Sequence, residues 1–443
     1  MTRVVLLQFA APPFFDEMIR AMNDQLQPPA SPRSIAVIGS GIVGMSAAVH
    51  LQNDGHRVTL LDARSPGTAT SFGNAGAIVT GAIEPNATPG IVKQIPKYVL
   101  DPKSGIRARL AYLPRFAPWL ARFLMASRMP QVRRSAAAMH PLVTRAYDAH
   151  KELIALTGAG DIVRQVGWLK VYRTEAGYAG SALGRRLMDE HGVKYEVLSP
   201  DEIGQLEPGL ARVFSKGLFH SDSAFCTLPK KLIDAYAAHF FSRGGAWLPE
   251  EVRGLEPLPQ GQVRVRSELG IRDFDSVVVA AGAWSKRLAA QVGDFVPLDT
   301  ERGYHLNLDP GTAKELRRPV CLPEDSFVLA PMQDGIRLTS GVEFAGVDAA
   351  PDFRPIYNLL PKAREVLPGL SDKVTREWMG RRPSTPDSLP VIGRSPKAPQ
   401  VIYAFGHQHL GLTLGPLTGR LVSQLVRGVP TEIDLAPYSI SRF

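Results

Sequence analysis

From residue 34 onward, hydrophobic positions follow first a strand-like and then a helical spacing. Residues 35–38 form an uninterrupted apolar run, which is typical of a strand buried on both faces of a parallel sheet. Residues 42–51 then carry apolar side chains at roughly helical spacing, and residues 57–61 form a second strand-like run that ends in Asp62. This order predicts a β-α-β unit.

Later segments repeat the same change of spacing. Helices are predicted at residues 178–191 and from Thr227, and a buried strand that runs into a helix is predicted from Asp275. Strands are predicted in "GWLKVYRT", "YHLNLD", "IRLTSGVEFAG" and "VIYAFG". The last of these is followed by a glycine-rich turn and a helix, "HQHLGLTLGPLTGRLVSQLVRG". The pattern predicts an α/β protein.

Length and cysteine content limit the class of protein. The 443 residues suggest two or three domains with a large core. The two cysteines, Cys226 and Cys321, offer neither a disulfide framework nor a metal-ligand spacing, so we expect no metal and a reducing compartment. No apolar run reaches the length of a membrane span. We therefore expect a cytoplasmic protein, with residues 1–32 as an N-terminal extension.

The chain is basic, with a formal net charge of +9, and arginine concentrates in residues 107–134. Aromatic and leucine side chains lie between these arginines, on helical pieces punctuated by Pro114 and Pro118. Two interpretations stay open: a helix whose apolar face enters the core, and a surface segment that contacts anionic lipid at the inner face of the membrane. No nucleic-acid-binding signature accompanies the charge, so no nucleic acid partner is expected.

The turn between the first strand and helix carries the clearest chemistry. Gly39, Gly41 and Gly44 form a G-x-G-x-x-G, in which the glycines permit a tight turn, approach of a pyrophosphate and close helix packing. The helix N-terminus would face the phosphates. Asp62 suits hydrogen bonds from ribose hydroxyls, and its charge disfavours the 2′-phosphate of NADP.

The C-terminal strand, glycine-rich turn and helix favour FAD over a nicotinamide cofactor. FAD is long and needs a second contact at its ring end, and a second helix N-terminus would provide it. Backbone N–H groups there would stabilise negative charge on the reduced ring.

The chain is similar to the FAD-dependent D-amino-acid oxidase superfamily, and within it resembles the bacterial D-amino-acid dehydrogenase branch, with glycine and sarcosine oxidases as cousins. The resemblance runs from about residue 34 to the C-terminus and rests on the dinucleotide cradle, "TSFGNAGAI", "VVVAAGAWS", "ERGYH", "GRRPSTPDSLPVIG" and "GHQHLGLTLGPLTGRLV".

This resemblance implies a Rossmann-type FAD-binding domain with a parallel sheet, and a substrate domain with a mixed or antiparallel sheet. The FAD-binding domain is expected at residues 33–100, 200–298 and 376–443, and the substrate domain at residues 101–199 and 299–375. The cofactor residues that it implies are Gly39, Gly41, Ile42, Val43, Gly44, Asp62, Ala63, Arg64, Ser71, Asn74, Ala75, Gly76, Val252, Ala281, Gly282, Trp284, Gly406, His407, Gly411, Leu412 and Thr413.

Fewer substrate residues follow from the resemblance. Arg382 is expected to bind the α-carboxylate of the substrate, since a guanidinium forks onto both carboxylate oxygens. The neighbouring Arg381 stands where an apolar residue is usual, which leaves open which arginine faces the site. Tyr304 is expected near the roof of the pocket, and His407 at the flavin edge or as a cap of its turn.

The implied activity is oxidative deamination of a D-amino acid by hydride transfer from Cα to flavin N5. D-proline or a hydroxy-D-proline is the expected substrate, and a quinone at the membrane the expected electron acceptor. Two alternatives stay open: a glycine- or sarcosine-type oxidase that uses oxygen, and, more remotely, a non-catalytic flavin-containing or nucleic-acid-binding protein.

Overall fold

The computed structural model describes residues 31–91 and 106–443. Nearly all of the N-terminal extension expected at residues 1–32 lies outside the described residues. The same holds for residues 92–105, which include the expected boundary between the segments 33–100 and 101–199.

The described residues form α-helices and β-strands throughout their length. The strands are β1 (Ser34–Ile38), β2 (Arg57–Leu61), β3 (Ala77–Ile78), β4 (Ile106–Ala108), β5 (Val163–Arg164), β6 (Trp168–Tyr172), β7 (Glu196–Leu198), β8 (Lys216–His220), β9 (Ala224–Cys226), β10 (Ala246–Leu248), β11 (Val252–Pro257), β12 (Val263–Ser267), β13 (Gly270–Phe274), β14 (Ser276–Val279), β15 (Asp299–Leu308), β16 (Val320–Leu322), β17 (Phe327–Met332), β18 (Gly335–Phe344), β19 (Val374–Ser384), β20 (Val391–Arg394) and β21 (Val401–Phe405). The helices are α1 (Ile42–Asn53), α2 (Leu113–Ala126), α3 (Met129–Thr157), α4 (Glu175–Gly180), α5 (Ala182–Glu190), α6 (Pro200–Leu206), α7 (Pro229–Ser242), α8 (Ser285–Val292), α9 (Arg354–Tyr357), α10 (Leu360–Val366) and α11 (Gly411–Arg427).

A six-stranded sheet in the order β10-β2-β1-β14-β21-β20 forms the first layer. Its strands are parallel except β20, which pairs antiparallel with β21. Both faces are covered, because Ile35 and Val37 of β1 enter one hydrophobic core while Ala36 and Ile38 enter another. The predicted β-α-β unit is confirmed by β1, α1 and β2.

A nine-stranded mixed sheet forms the second layer, in the order β19-β15-β18-β17-β16-β6-β8-β7, with β4 paired to β18. The pairs β16–β6 and β18–β4 are parallel, and the other pairs are antiparallel. The α/β fold class with a parallel and a mixed sheet is therefore confirmed. Because β19 starts at Val374 and belongs to this sheet, the domain boundary predicted at residue 376 falls inside a strand; the domain limits stay a prediction.

Two of the predicted helical regions differ in the structure. The helix expected at residues 178–191 is divided into α4 and α5 at Ser181. Pro114 and Pro118, expected to punctuate short helical pieces, both lie within one helix, α2, because Pro114 sits in its first turn, where its missing N–H costs nothing, and Pro118 is accommodated inside. The remaining arginines of residues 107–134 lie in or next to β4 and at the start of α3.

The arginine-rich segment packs largely as the first of the two open interpretations expects. Phe116 and Trp119 of α2 are buried against Phe344 of the nine-stranded sheet. Arg107 and Arg109 form ion pairs with other parts of the chain at Glu343, which is buried. No helix among residues 31–91 and 106–443 is long and apolar enough to cross a membrane.

Helices α1 and α11 lie against each other at glycine positions. A Cβ at Gly415 would lie 2.9 Å from the Ile42 side chain, and one at Gly419 would lie 2.6 Å from the Ser46 carbonyl carbon. Such distances leave no room for a methyl group, so at these glycines the backbone of α11 packs directly against α1. This approach fixes where both N-termini point.

Replacing Gly419 with Ala is expected to destabilise the protein. Alanine favours a helix over glycine by up to about 1 kcal/mol, but forcing a methyl group into a packed contact costs roughly 1–3 kcal/mol, so the steric effect dominates. The thermal unfolding midpoint should fall.

Gly180→Ala is the matched control, because Gly180 is also helical and nothing lies within 4 Å of the Cβ position. Its midpoint should stay equal or rise. Equal midpoints for the two variants would contradict the proposed close contact.

Candidate active site

A cavity of about 1080 Å³ lies between the two large sheets. One side is formed by the loops that follow β1, β2, β14 and β21, at the carboxyl ends of parallel strands, where open α/β sheets bind their ligands. The opposite side is formed by β6, β16, β17, β18 and β19. The sequence-predicted residues that line it are Gly39, Gly41, Ile42, Val43, Asp62, Ala63, Arg64, Ser71, Asn74, Ala75, Val252, Ala281, Gly282, Trp284, Arg382, His407, Gly411, Leu412 and Thr413.

The glycines of the β1–α1 turn have distinct steric roles. Gly39 has φ +102°, and a Cβ there would lie 2.4 Å from the Ala280 carbonyl oxygen. A Cβ at Gly44 would lie 1.9 Å from the Gly39 carbonyl oxygen, so Gly44 supports the cradle from behind rather than lining the cavity. Gly41 does line the cavity, and the Ile42 N–H beside it donates to Ser71 Oγ at 3.0 Å.

Asp62 is held in one orientation at the end of β2. The backbone N–H and hydroxyl of Ser40 both donate to Asp62 Oδ2, at 2.9 and 3.0 Å, and the Arg64 N–H donates to Oδ1 at 3.0 Å. The carboxylate is half-buried and lines the cavity. It is thus presented as a rigid acceptor, as ribose hydroxyls require.

An aromatic side chain stands between two arginines at one wall of the cavity. The Arg64 guanidinium lies 4.5 Å from the ring centroid of Trp284, and that of Arg381 lies 5.8 Å from it. The first of these cation–π contacts shows that Arg64 and Trp284, both predicted from sequence, lie side by side at the cavity wall.

The N-terminus of α11 meets the loop that contains Asn74 and Gly76. Thr413 Oγ1 donates to the Ala77 carbonyl at 3.2 Å and accepts from the Val79 N–H at 3.3 Å. The N–H groups of the first turn of α11, with the positive end of the helix dipole, therefore face the cavity at Gly411 to Thr413.

Gly76 and Gly406 were predicted as cofactor residues and are not among the lining residues of the cavity. Their φ angles are +79° and +83°, a conformation that glycine adopts without strain. Each of these two glycines lies in a turn, and the residues immediately before and after it line the cavity.

Arg382 lies over a glycine of the neighbouring strand. A Cβ at Gly303 would lie 2.1 Å from Arg382 Nη2, so only glycine leaves room for the guanidinium there. Arg382 Nη1 donates to the Gly341 carbonyl at 3.0 Å. Burial lowers the pKa of Arg382, and the carboxylate of Glu301 opposes that shift.

Arg381 also lines the cavity, at a different place. Its Nε donates to the Val347 carbonyl at 2.6 Å, and its guanidinium faces Trp284. Burial lowers its pKa, and the charges of Arg302 and Arg64 add to that effect. The two arginines of "GRRP" thus occupy two subsites of one cavity.

Tyr304 is not among the lining residues. Its hydroxyl donates to Glu343 and accepts the Asp352 N–H at 3.3 Å, inside a buried cluster where Glu343 also pairs with Arg302 at 3.1 Å. This arrangement is that of a core tyrosine with satisfied hydrogen bonds, and a substrate role for Tyr304 stays a prediction.

His407 lines the cavity but its ring is tied to α11. One ring nitrogen lies 2.9 Å from Thr418 Oγ1, and burial lowers the pKa of His407 to about 3, so the ring is neutral at ordinary pH. These contacts favour the role of a turn cap over that of a proton donor.

The polar residues in or beside the cavity that were not predicted include Glu301, His409 and Lys170. Glu301 is 5% exposed, and burial raises its pKa while Arg382 opposes the rise. His409 lines the cavity, and burial lowers its pKa to about 4, with further lowering by Arg382 and Lys170. Lys170, in the centre of the predicted strand "GWLKVYRT", also lines the cavity. A lysine amid apolar strand residues was the signal in the sequence.

A known protein family matches most of this chain. Residues 34–425 match the family described as FAD dependent oxidoreductase. The chain belongs to this family. FAD is its cofactor, and the residues present fit it, since the cradle glycines and Asp62 stand at one part of the cavity and the α11 N-terminus at another.

Relatives within the family cover nearly the whole chain. A protein of Bradyrhizobium diazoefficiens named D-amino-acid oxidase is 36% identical over 422 residues, which are 93% of this chain and 99% of the relative. A D-amino acid dehydrogenase of Xanthobacter autotrophicus is 30% identical, over 92% of this chain and 99% of the relative. The solved glycine oxidase from Geobacillus kaustophilus has a TM-score of 0.70 at 23% identity, covering 93% of this chain and 99% of that one, which shows the shared fold.

Gly41→Val is expected to abolish FAD binding. The Cβ position of Gly41 lies 3.2 Å from Ser71 Oγ, so a branched side chain would fill the cradle that the pyrophosphate must enter. The purified variant should be colourless, with FAD measured by absorbance after acid release.

Gly160→Val provides the control, because Gly160 is exposed with open space at its Cβ position. That variant should retain parental FAD content. A yellow Gly41→Val protein with normal FAD content would contradict the cradle assignment.

Proposed function

We propose that the protein oxidises a D-amino acid whose α-carboxylate is bound by Arg382. The observation that carries this proposal is the Arg382 guanidinium lying over Gly303 in the cavity that also contains the FAD cradle. When bound, FAD would supply the two-electron acceptor, with N5 taking a hydride from the substrate Cα. The names of the relatives from Bradyrhizobium diazoefficiens and Xanthobacter autotrophicus support a D-amino-acid substrate.

Arg382 is suited to orientation rather than to proton transfer. A guanidinium stays protonated even where burial lowers its pKa, so Arg382 is a fixed cation throughout the working pH range. A fork onto both carboxylate oxygens leaves the Cα–H bond with one direction relative to the cavity walls. The pKa of His407 is lowered to about 3 and that of His409 to about 4, so both imidazoles are weak bases and the substrate amine would enter as the free base rather than be deprotonated by either.

Among D-amino acids we propose D-proline or a hydroxy-D-proline as the first candidates to test. Anaerobic bleaching of the flavin absorbance against a panel of D- and L-amino acids, glycine and N-methylglycine identifies the reducing class directly. Bleaching by glycine and N-methylglycine alone would favour the oxidase alternative instead.

Arg382→Ala is expected to lower kcat/KM for a reducing D-amino acid by about two to four orders of magnitude. Deleting one partner of a buried charged pair costs roughly 3–5 kcal/mol, at about 1.4 kcal/mol per decade. FAD content should stay parental, because Arg382 lies on β19, on the side of the cavity opposite the cradle glycines. Arg382→Lys should recover only part of the loss, since an ammonium lacks the planar fork.

Arg381→Ala is the matched control, since both arginines line the cavity. It should retain much more activity than Arg382→Ala. A loss confined to Arg381→Ala would assign the carboxylate to the Trp284 subsite. No loss in either variant would point to an amine without a carboxylate.

We propose a membrane quinone as the electron acceptor. Three arginines of the 107–134 segment support a contact with anionic lipid, because they are exposed and make no ion pair with a described residue. They are Arg115, Arg128 and Arg134. The protein should co-sediment with anionic liposomes, less so near 1 M salt, where screening shortens to a few Å. Replacing the three arginines with Gln should weaken this binding.

A second triple variant at exposed arginines elsewhere removes the same charge: Arg212, Arg253 and Arg354. It should leave liposome binding close to parental. Equal weakening by both triple variants would indicate a nonspecific charge effect. Rapid hydrogen peroxide formation at air saturation without liposome binding would favour oxygen as the acceptor.

A further inference from the structure

Lys170 places a positive charge in the cavity that the described residues do not neutralise. On β6, Leu169 and Val171 enter the core of the nine-stranded sheet, whereas Trp168 and Lys170 line the cavity. The parallel neighbour of Lys170 on β16 is Cys321, which also lines the cavity. Lys170 is half-buried.

The Lys170 side chain forms no hydrogen bond and no ion pair with any residue in the described ranges 31–91 and 106–443. Glu84 is the acid that interacts electrostatically with Lys170. Burial raises the pKa of Glu84, and the positive charge of Lys170 opposes that rise. The two are nevertheless not paired within 4.0 Å. The Glu84 carboxylate instead lies against Gly184, where a Cβ would be 2.3 Å from Oε2.

The two arginines that β19 contributes to the cavity wall, in contrast, have partners within the protein. Arg382 has Glu301 beside it, and Arg381 donates to a backbone carbonyl. His409, on which both Arg382 and Lys170 act, is neutral because burial lowers its pKa to about 4. An unpaired ammonium in a ligand cavity is available to a bound anion, and the ligand is the natural source of that anion.

We propose that Lys170 binds a second carboxylate, at the end of the substrate side chain, so that D-amino acids with an acidic side chain are preferred over the D-proline or hydroxy-D-proline named above as first candidates. This proposal rests on the proposed function, in which Arg382 takes the α-carboxylate. Lys170 would then determine specificity, with His409 as a neutral neighbour between the two cationic side chains.

The separation of the two cations favours a long substrate. Five inter-strand steps from β19 to β6, each of about 4.8 Å, separate the two backbones by roughly 24 Å across the sheet. The side chains of Arg382 and Lys170 both line the cavity, and both act electrostatically on His409, so a ligand that meets both cations must be long. We therefore expect a side chain of glutamate length to bridge them better than that of aspartate.

The test compares D-glutamate with D-glutamine, which differ in charge and hardly in shape. The parent should have a kcat/KM at least 10-fold higher for D-glutamate. Lys170→Met should lower the ratio of the two kcat/KM values by about 10- to 100-fold, as expected for loss of one charge-assisted hydrogen bond. Lys216→Met is the matched control, because Lys216 lies on β8 of the same sheet outside the cavity, and the ratio should not change.

Calorimetry with the holoenzyme gives a readout that needs no turnover. Glutarate, which has two carboxylates and no amine, should bind at least 10-fold more tightly than butyrate, and Lys170→Met should remove this difference. A D-glutamate to D-glutamine ratio near one, or a ratio that Lys170→Met leaves unchanged, overturns the proposal while D-amino-acid oxidation stands. Failure of every D-amino acid to bleach the flavin overturns the proposed function itself.

Discussion

The close approach of α1 and α11 is the constraint on which the rest of the site depends. Gly415 and Gly419 let the backbone of α11 lie against α1, and Gly44 lets α1 lie against the turn after β1. Because two helices in such contact cannot shift independently, their N-termini are fixed relative to each other at the same cavity. A long cofactor bound in this cavity would thus meet a helix N-terminus at two places.

The cradle could be predicted from sequence because its signals are local. Strand, glycine turn, helix and Asp62 lie within 29 consecutive residues, and each glycine has a steric reason that the spacing already implies. Arg382 was identified only by resemblance, since its place depends on the register of β15 with β19. Glu301 stands opposite Arg382 in the register of these two strands. No pattern near residue 382 reveals that neighbour or the space at Gly303.

The remainder of the site depends on pairings between distant segments. Tyr304 was expected at the pocket roof, but its hydroxyl is taken up by Glu343, which gathers Arg107, Arg109 and Arg302 as well. That cluster exists because β4 pairs with β18, more than 230 residues away. An arginine-rich segment read alone therefore leaves a membrane surface open as an interpretation, whereas part of its charge serves an internal contact.

Glu301 explains how the site keeps a usable guanidinium. An isolated buried arginine is costly, and a direct ion pair would reduce that cost but occupy the fork that a substrate needs. Glu301 acts on Arg382 electrostatically, yet no N–O contact within 4.0 Å joins them, and the hydrogen bond that the Arg382 guanidinium donates within the described part of the chain goes to the Gly341 carbonyl. The charge is therefore stabilised at a distance while most of the five guanidinium N–H donors remain available. Under the proposed function, an incoming carboxylate would complete the pairing that the protein leaves open.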